Sequence, residues 1–305
     1  LTDSQIGLMS GFAFAFLYTF LGIPIAYLAD RKSRVWIMTG ALTIWSAFTA
    51  LCGLAQNYTQ LFLSRVGVGF GEAGGVAPAY SLISDYFPAR QRARALAIYA
   101  FGIPIGSAIG IILGGILTSI LDWRWAFIII GLAGVIVAPI FRLTMREPMR
   151  GRFDDNQRKA SGNLIESIVE VTTTLVRKPS FWGLSFGAAF SSMMGYGLFL
   201  WIPSFLVRSF ETELPVFLSF LPGWMIPPEP SESLFAGYFY GAIVLIGGII
   251  GIWLGGFLAD KYGEHRKGAY AFVPGVAFLG TVPILAAGLL SQNLTLTFFV
   301  LLVPT

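Results

Sequence analysis

Leu28-Ala29-Asp30-Arg31 ends one long apolar run, and Leu258-Ala259-Asp260-Lys261 ends another, 230 positions later. Each tetrapeptide leads into a short basic stretch: Lys32, Ser33 and Arg34 after the first, and Gly263, Glu264, His265, Arg266 and Lys267 after the second. An acid-base hinge at matching places in two halves is the pattern of a membrane bundle built by internal duplication, whose repeats survive as weak sequence symmetry.

The composition agrees. Of the 305 residues 55% are hydrophobic and only 12% charged, against about 25% charged in a soluble domain. The mean hydropathy is +0.73. In water such a chain would expose large apolar patches, so the bilayer is its natural solvent. The net charge of +4 raises nucleic acid as a partner, but the bases sit in short gaps between apolar runs, as membrane topology expects. No nucleic-acid partner is expected. The lone Cys52 lies in an apolar run and has no partner for a disulfide.

Spans of about 20 residues cross the hydrocarbon core as helices. The apolar runs predict eight, at 6–29, 35–55, 58–86, 93–120, 124–144, 181–207, 233–259 and 268–290, and part of a ninth from 294 on. Period-2 alternation of the barrel kind is absent, which leaves a closed all-α bundle. The chain starts Leu-Thr-Asp and ends within an apolar run, and is read as a fragment open at both ends.

Alternate connections hold Arg31, Lys32 and Arg34; Arg90, Arg92 and Arg94; Arg142, Arg146, Arg150, Arg152, Arg158, Lys159, Arg177 and Lys178; and Lys261, Arg266 and Lys267. These are 17 of the chain's 20 bases. The asymmetry puts that side in the cytoplasm and residue 1 outside, with the plasma (inner) membrane as the expected location. Residues 145–180 form the longest polar connection. Asn163 with Glu166 has the spacing of a capping box, and Leu164, Ile165, Ile168, Val169, Leu175 and Val176 fall at helical spacing, so an amphipathic helix on the membrane face is expected. The connection 208–232 carries Glu211, Glu213, Glu229 and Glu232 around an apolar core too short to span; an interfacial segment, a lid and an ordered loop are all open.

The third span holds the candidate site: Leu61-Phe-Leu-Ser-Arg65-Val-Gly-Val-Gly-Phe-Gly-Glu72-Ala-Gly-Gly75. An ionisable group inside a span costs at least ~2.5–3.5 kcal/mol and turns toward a polar cavity or a partner. Arg65 and Glu72 lie two turns apart on one face, with a rise of roughly 10 Å between them. Arg65 suits an anionic head group; Glu72 suits a proton. Gly69 to Gly74 also fits G-x-G-x-x-G, but that fingerprint needs a preceding strand, and within a span glycines serve helix packing. Nucleotide binding is rejected.

Gly102, Gly106, Gly110 and Gly114 at four-residue spacing predict a smooth ridge for a neighbouring helix, with Pro104 favouring a kink. Asp30, Arg34 and Asp85 at cytoplasmic span ends predict an ion-pair latch, echoed by Asp260 and Lys261. Ser192, Met194, Tyr196 and Tyr238 are possible cavity-lining groups. No metal cluster and no enzyme motif occurs, so no cofactor, metal or catalytic residue is expected. Asn57-Tyr-Thr and Asn293-Leu-Thr match the glycosylation pattern.

The first hinge, with Asp30, Arg31 and Arg34, resembles the signature of the major facilitator superfamily at the turn between its second and third helices; Ala26 and Ser33 stand where glycines are usual, and Val35 where a base is. The second hinge keeps Gly256, Asp260, Lys261 and Gly263. Arg65 matches that family's fourth-helix arginine, and Gly102-Ile-Pro104-Ile-Gly106 resembles its exporter motif. A narrower similarity is to Spinster-like transporters, carried by Trp45-Ser46, Arg65 through Ala73 to Pro78, Ser84-Asp85-Tyr-Phe-Pro88, Trp123-Arg124-Trp125, Glu147-Pro148 and Trp201-Ile-Pro203. The resemblance implies two pseudo-symmetric six-helix halves, here 1–144 and 181–305 joined by the linker 145–180, spanning the family's second to ninth helices and part of the tenth. It also implies a monomeric secondary transporter working by alternating access, which exports or flips an amphipathic anionic lipid such as a lysophospholipid or sphingoid phosphate, coupled to protons. A small organic anion or sugar acid carrier is the alternative, and a membrane receptor or scaffold the alternative of another class.

Overall fold

Ser33 ends the first apolar run and starts the second helix: its hydroxyl accepts a hydrogen bond from the Trp36 amide at 3.4 Å. The computed structural model describes residues 1–153, 163–228, 230–263 and 269–303. The described residues form helices joined by turns. Chain contacts divide them into two compact units, Leu1–Leu96 with Trp123–Arg177, and Ala97–Asp122 with Lys178–Thr305.

The first unit holds α1 (Asp3–Ala29), α2 (Arg34–Gly53), α3 (Tyr58–Glu72), α4 (Val76–Tyr86), most of α5 (Ala89–Ala100), α7 (Trp123–Thr144) and α8 (Leu164–Val176). A π-helical turn, Leu8–Phe12, interrupts α1. Helix α2 is the centre, packed on α7 and on α3. Small residues allow this. A Cβ on Gly131 of α7 would meet the Ala50 backbone of α2, and one on Gly71 of α3 would meet Trp45. Gly69 approaches the carbonyl of Phe14 on α1 in the same way, so the glycine-rich run of the third span is a packing surface, as expected of helices in lipid. Cys52 is fully buried beside Ala55 and Leu61.

The expected single span at 58–86 is two helices. Pro78 has no N–H to give the carbonyl of Gly74, and its ring crowds that carbonyl. The chain turns at Ala73–Gly75, where Gly74 and Gly75 amides reach back only three residues, to Gly71 and Glu72. Neither piece has the length of a span. Among the described residues, seven helical stretches are long and apolar enough to cross a membrane: Asp3–Ala29, Arg34–Gly53, Ala89–Ile120 (α5 and the helix that follows it), Trp123–Thr144, Pro179–Phe210, Glu232–Leu258 and Phe272–Leu290. The helix from Leu294 is described over eight residues only.

The second unit holds α6 (Gly102–Ile120), α9 (Pro179–Phe210), α10 (Glu213–Phe217), α11 (Glu232–Gly263), α12 (Ala269–Leu290) and α13 (Leu294–Leu301). Helix α6 packs closely on α11, but not by its glycine ridge. Nothing lies within 4 Å of a Cβ placed on Gly102, Gly106, Gly110 or Gly114. The contact face is the opposite one, with Pro104, Ala108 and Gly115 set against Gly248, Gly241 and Leu234 of α11. Four-residue glycine spacing marks a smooth face; here the close approach is made on the face where α11 supplies its own glycines.

The described part of the connection 208–232 packs as a cap on the helices below it. Leu214 and Leu218 are buried with Phe210, Phe239 and Leu294, and the Phe217 and Phe239 rings lie 5.4 Å apart. Helix α8 has its expected capping box, with the Asn163 amide donating to Glu166 at 3.2 Å. Its apolar residues Ile165 and Val169 stay exposed, as a helix lying on a membrane face would leave them. Asn57 and Asn293 both cap helices, each accepting an amide hydrogen bond at 3.0 Å.

Candidate functional site

Two places gather the polar chemistry of the first unit. The first is the break between α3 and α4. Arg65 is half-buried on α3, its guanidinium 5.9 Å from the centre of the Phe14 ring. Glu72 is the last residue of α3 and is exposed. The two do not pair with each other, as the two-turn rise between them requires. Immediately after Glu72 the carbonyls of Ala73 and Gly74 receive no backbone amide among the described residues, although both residues are buried. A carboxyl and free backbone acceptors at the end of a broken helix are groups that transporters of this construction use for ions and protons.

The second place is built around Arg34, the first residue of α2 and only 1% exposed. Its Nη1 pairs with the Asp85 carboxylate at the end of α4 and donates to the Ser81 hydroxyl at 2.8 Å. Its Nε donates to Glu147 at 2.8 Å, and its Nη2 to the Pro148 carbonyl at 3.3 Å. The other Glu147 oxygen accepts from the Val35 amide at 3.0 Å and the Ser33 hydroxyl at 2.8 Å. Asp85 in turn accepts from the Gly151 amide at 3.0 Å. Gly151 has φ 62°, a conformation that favours glycine. Arg150 closes the ring by donating to the carbonyls of Ala29 and Lys32.

Burial pushes the Glu147 carboxyl up, but the Val35 amide, the Arg34 guanidinium and the Ser33 hydroxyl outweigh it and hold the group below the ordinary glutamate value. The buried guanidinium is therefore neutralised by two carboxylates and hydrogen-bonded through each of its three nitrogens, which is what such a charge requires. The node ties together the ends of α1, α2, α4 and α7.

Of the expected latch, Arg34 and Asp85 meet. Asp30 is exposed at the end of α1 and takes no part in the Arg34 ion pairs; Glu147 holds the position expected of it. Helix α1 has ended by Ala29, and Arg34 enters α2 pointing at α4 and the segment after α7, so geometry selects the acid there. Lys261 is exposed, its Nζ 5.8 Å from the Phe257 ring centre. Asp260 lies on the last turn of α11, with its side chain outside the described residues, as are Glu264, His265, Arg266 and Lys267. Among the proposed cavity-lining groups, Ser192 and Tyr196 are exposed and Met194 is half-buried on α9. Tyr238 is buried, and its hydroxyl donates to the Met225 carbonyl at 2.6 Å. It anchors the cap made by the described part of 208–232. Glu147 is the member of this node to which the sequence assigns no role; an acid among Arg146, Arg150 and Arg152, with proline next, is the available signal.

The Major Facilitator Superfamily model matches residues 1–304. An MFS-type efflux pump of Mycolicibacterium smegmatis is 32% identical over 267 residues, which cover 87% of this chain and 56% of the pump. Protein spinster homolog 1 of Homo sapiens is 32% identical over 286 residues, covering 93% of this chain and 52% of the relative. The chain thus spans about half the length of the curated relatives it matches. The crystal structure of a bacterial homolog to the human lysosomal transporter Spinster, inward-facing and unoccupied, superposes with a TM-score of 0.74 at 34% identity, covering all of this chain and 64% of that one. The occupied form of that homolog gives a TM-score of 0.71.

Proposed function

The chain belongs to the major facilitator superfamily, on its Spinster-like branch, and from that premise we propose that it is the greater part of a proton-coupled transporter that exports or flips an amphipathic anionic lipid, of the lysophospholipid or sphingoid phosphate kind, by alternating access. The observation that carries this reading is an arginine and a glutamate two turns apart on a helix that breaks directly after the glutamate. Arg65 receives the anionic head. Glu72 takes and releases the proton, with the free carbonyls of Ala73 and Gly74 next to it in the chain. The half-bundles 1–144 and 181–305 are the bodies that rock, so the packing of α6 on α11 has to slide in each cycle, and the Arg34 node keeps the helix ends of the first half together during the motion.

The test is movement of a labelled lysophospholipid across liposomes holding the natural protein that contains these residues, with and without a pH gradient. Arg65→Ala should lower transport at least tenfold without loss of folded protein, and Glu72→Gln should remove the response to the gradient. Unchanged transport in Arg65→Ala overturns the assignment. The efflux-pump relative supports a second reading, a small organic anion as substrate, which Arg65 would serve equally. Affinity independent of alkyl chain length would favour it.

A further inference from the structure

Inside the second unit, α6, α9 and α11 line an open-sided slot of about 490 Å³. Its size falls in the range of small-ligand sites, and its walls are almost wholly apolar. The slot exists because of how the three helices meet. Helices α6 and α11 touch where Pro104 fits against Gly248, while α9 stands off, and a Cβ added to its Gly195 would meet nothing within 4 Å. The same holds for Gly251 on α11, which also lines the slot. Two glycines on different helices thus open onto the same space.

One wall is aromatic: the Phe199 and Tyr240 rings lie 6.2 Å apart at 59°. Tyr240 is only 2% exposed as a residue, and its hydroxyl makes no hydrogen bond among the described residues; the oxygen is not one of the buried unpartnered side-chain atoms, so it keeps open space beside it, on the wall of the slot. A buried tyrosine hydroxyl ordinarily finds a partner, and Tyr238, two positions earlier, does so. The slot therefore offers an apolar surface with one unpaired hydroxyl donor on its wall.

We propose that this slot binds a single hydrocarbon chain carrying one acceptor oxygen, of the acyl ester or amide type, with the Tyr240 hydroxyl donating to that oxygen. Gly195 and Gly251 set how much chain fits. The proposal rests on the lipid reading above and adds to it the residues that select the tail, in a place separate from the Arg65 and Glu72 helix.

The test measures binding of monoacyl phospholipids with chains of increasing length, ester- or ether-linked, to the detergent-solubilised natural protein and its variants. In the unaltered protein, affinity should rise about two- to fourfold per added methylene, as burial of a methylene implies. Gly195→Leu and Gly251→Leu, at positions on separate walls where an added Cβ meets nothing within 4 Å, should each erase that rise and weaken the longest chain at least tenfold while sparing the shortest. Tyr240→Phe should weaken the ester about fivefold, the worth of one net hydrogen bond, and leave the ether analogue unchanged. An unaltered length profile in both leucine variants, with melting temperatures retained, overturns the slot and leaves the lipid reading standing. No dependence on chain length in the unaltered protein overturns both.

Discussion

Arg34 shows how much a single buried charge depends on its surroundings. Removing it leaves Asp85 and Glu147 without their cation, and breaking a buried pair from one side costs about 3–5 kcal/mol. Arg34→Ala should therefore lower the melting temperature steeply, and Arg34→Lys should recover only part of the loss, since lysine cannot serve four acceptors in a planar fork. Glu147 gives the node a pH dependence. Its folded value lies below the ordinary one, so its stabilisation is complete above the ordinary glutamate pKa of about 4.3 and drains away as the pH falls through the lower folded value. Melting curves from pH 7 to pH 3 should show a fall that is smaller in Glu147→Gln. The sequence announced Arg34 and Asp85 because each is a charge at the end of an apolar run. It did not announce Glu147, since nothing in local spacing tells which of several acids a distant helix end will meet.

Helix by helix, most spans were legible because about 20 apolar residues in lipid have few other forms. The exception at 58–86 was legible in principle. Pro78 and the Gly74-Gly75 pair are breakers, but glycine and proline also occur inside spans, where they serve helix packing and kinks, so a largely apolar stretch of this length reads as one helix. The packing faces were harder to read. Glycine spacing picked the ridge of α6 that faces open space and passed over Gly131, whose Cβ would strike the α2 backbone. This difference predicts opposite responses to the same change. Gly131→Ala should cost about 1–3 kcal/mol through overpacking, whereas Gly110→Ala should cost nothing and gain from helix propensity. Thermal unfolding of the two variants side by side checks the assignment of faces.

For the whole molecule, orientation rests on where the bases lie, and it predicts which surfaces a reagent can reach from each side. Cysteine at Met149, which is 74% exposed near the Arg34 node, should be labelled by an impermeant maleimide only from the cytoplasmic face. Cysteine at Gln56, exposed in the turn before α3, should be labelled only from the opposite face. The reverse pattern would invert the topology. Such labelling has a quiet background, because the chain's one native thiol, Cys52, is sealed at 0% exposure between α2 and its neighbours. The same sealing makes that sulfur a clock. It reacts only when α2 parts from the helices around it, so in a thiol-free buffer each molecule is marked once, at its first opening. The rate of marking then reads how often the first unit breathes, and it should rise in Gly131→Ala and stay unchanged in Gly110→Ala.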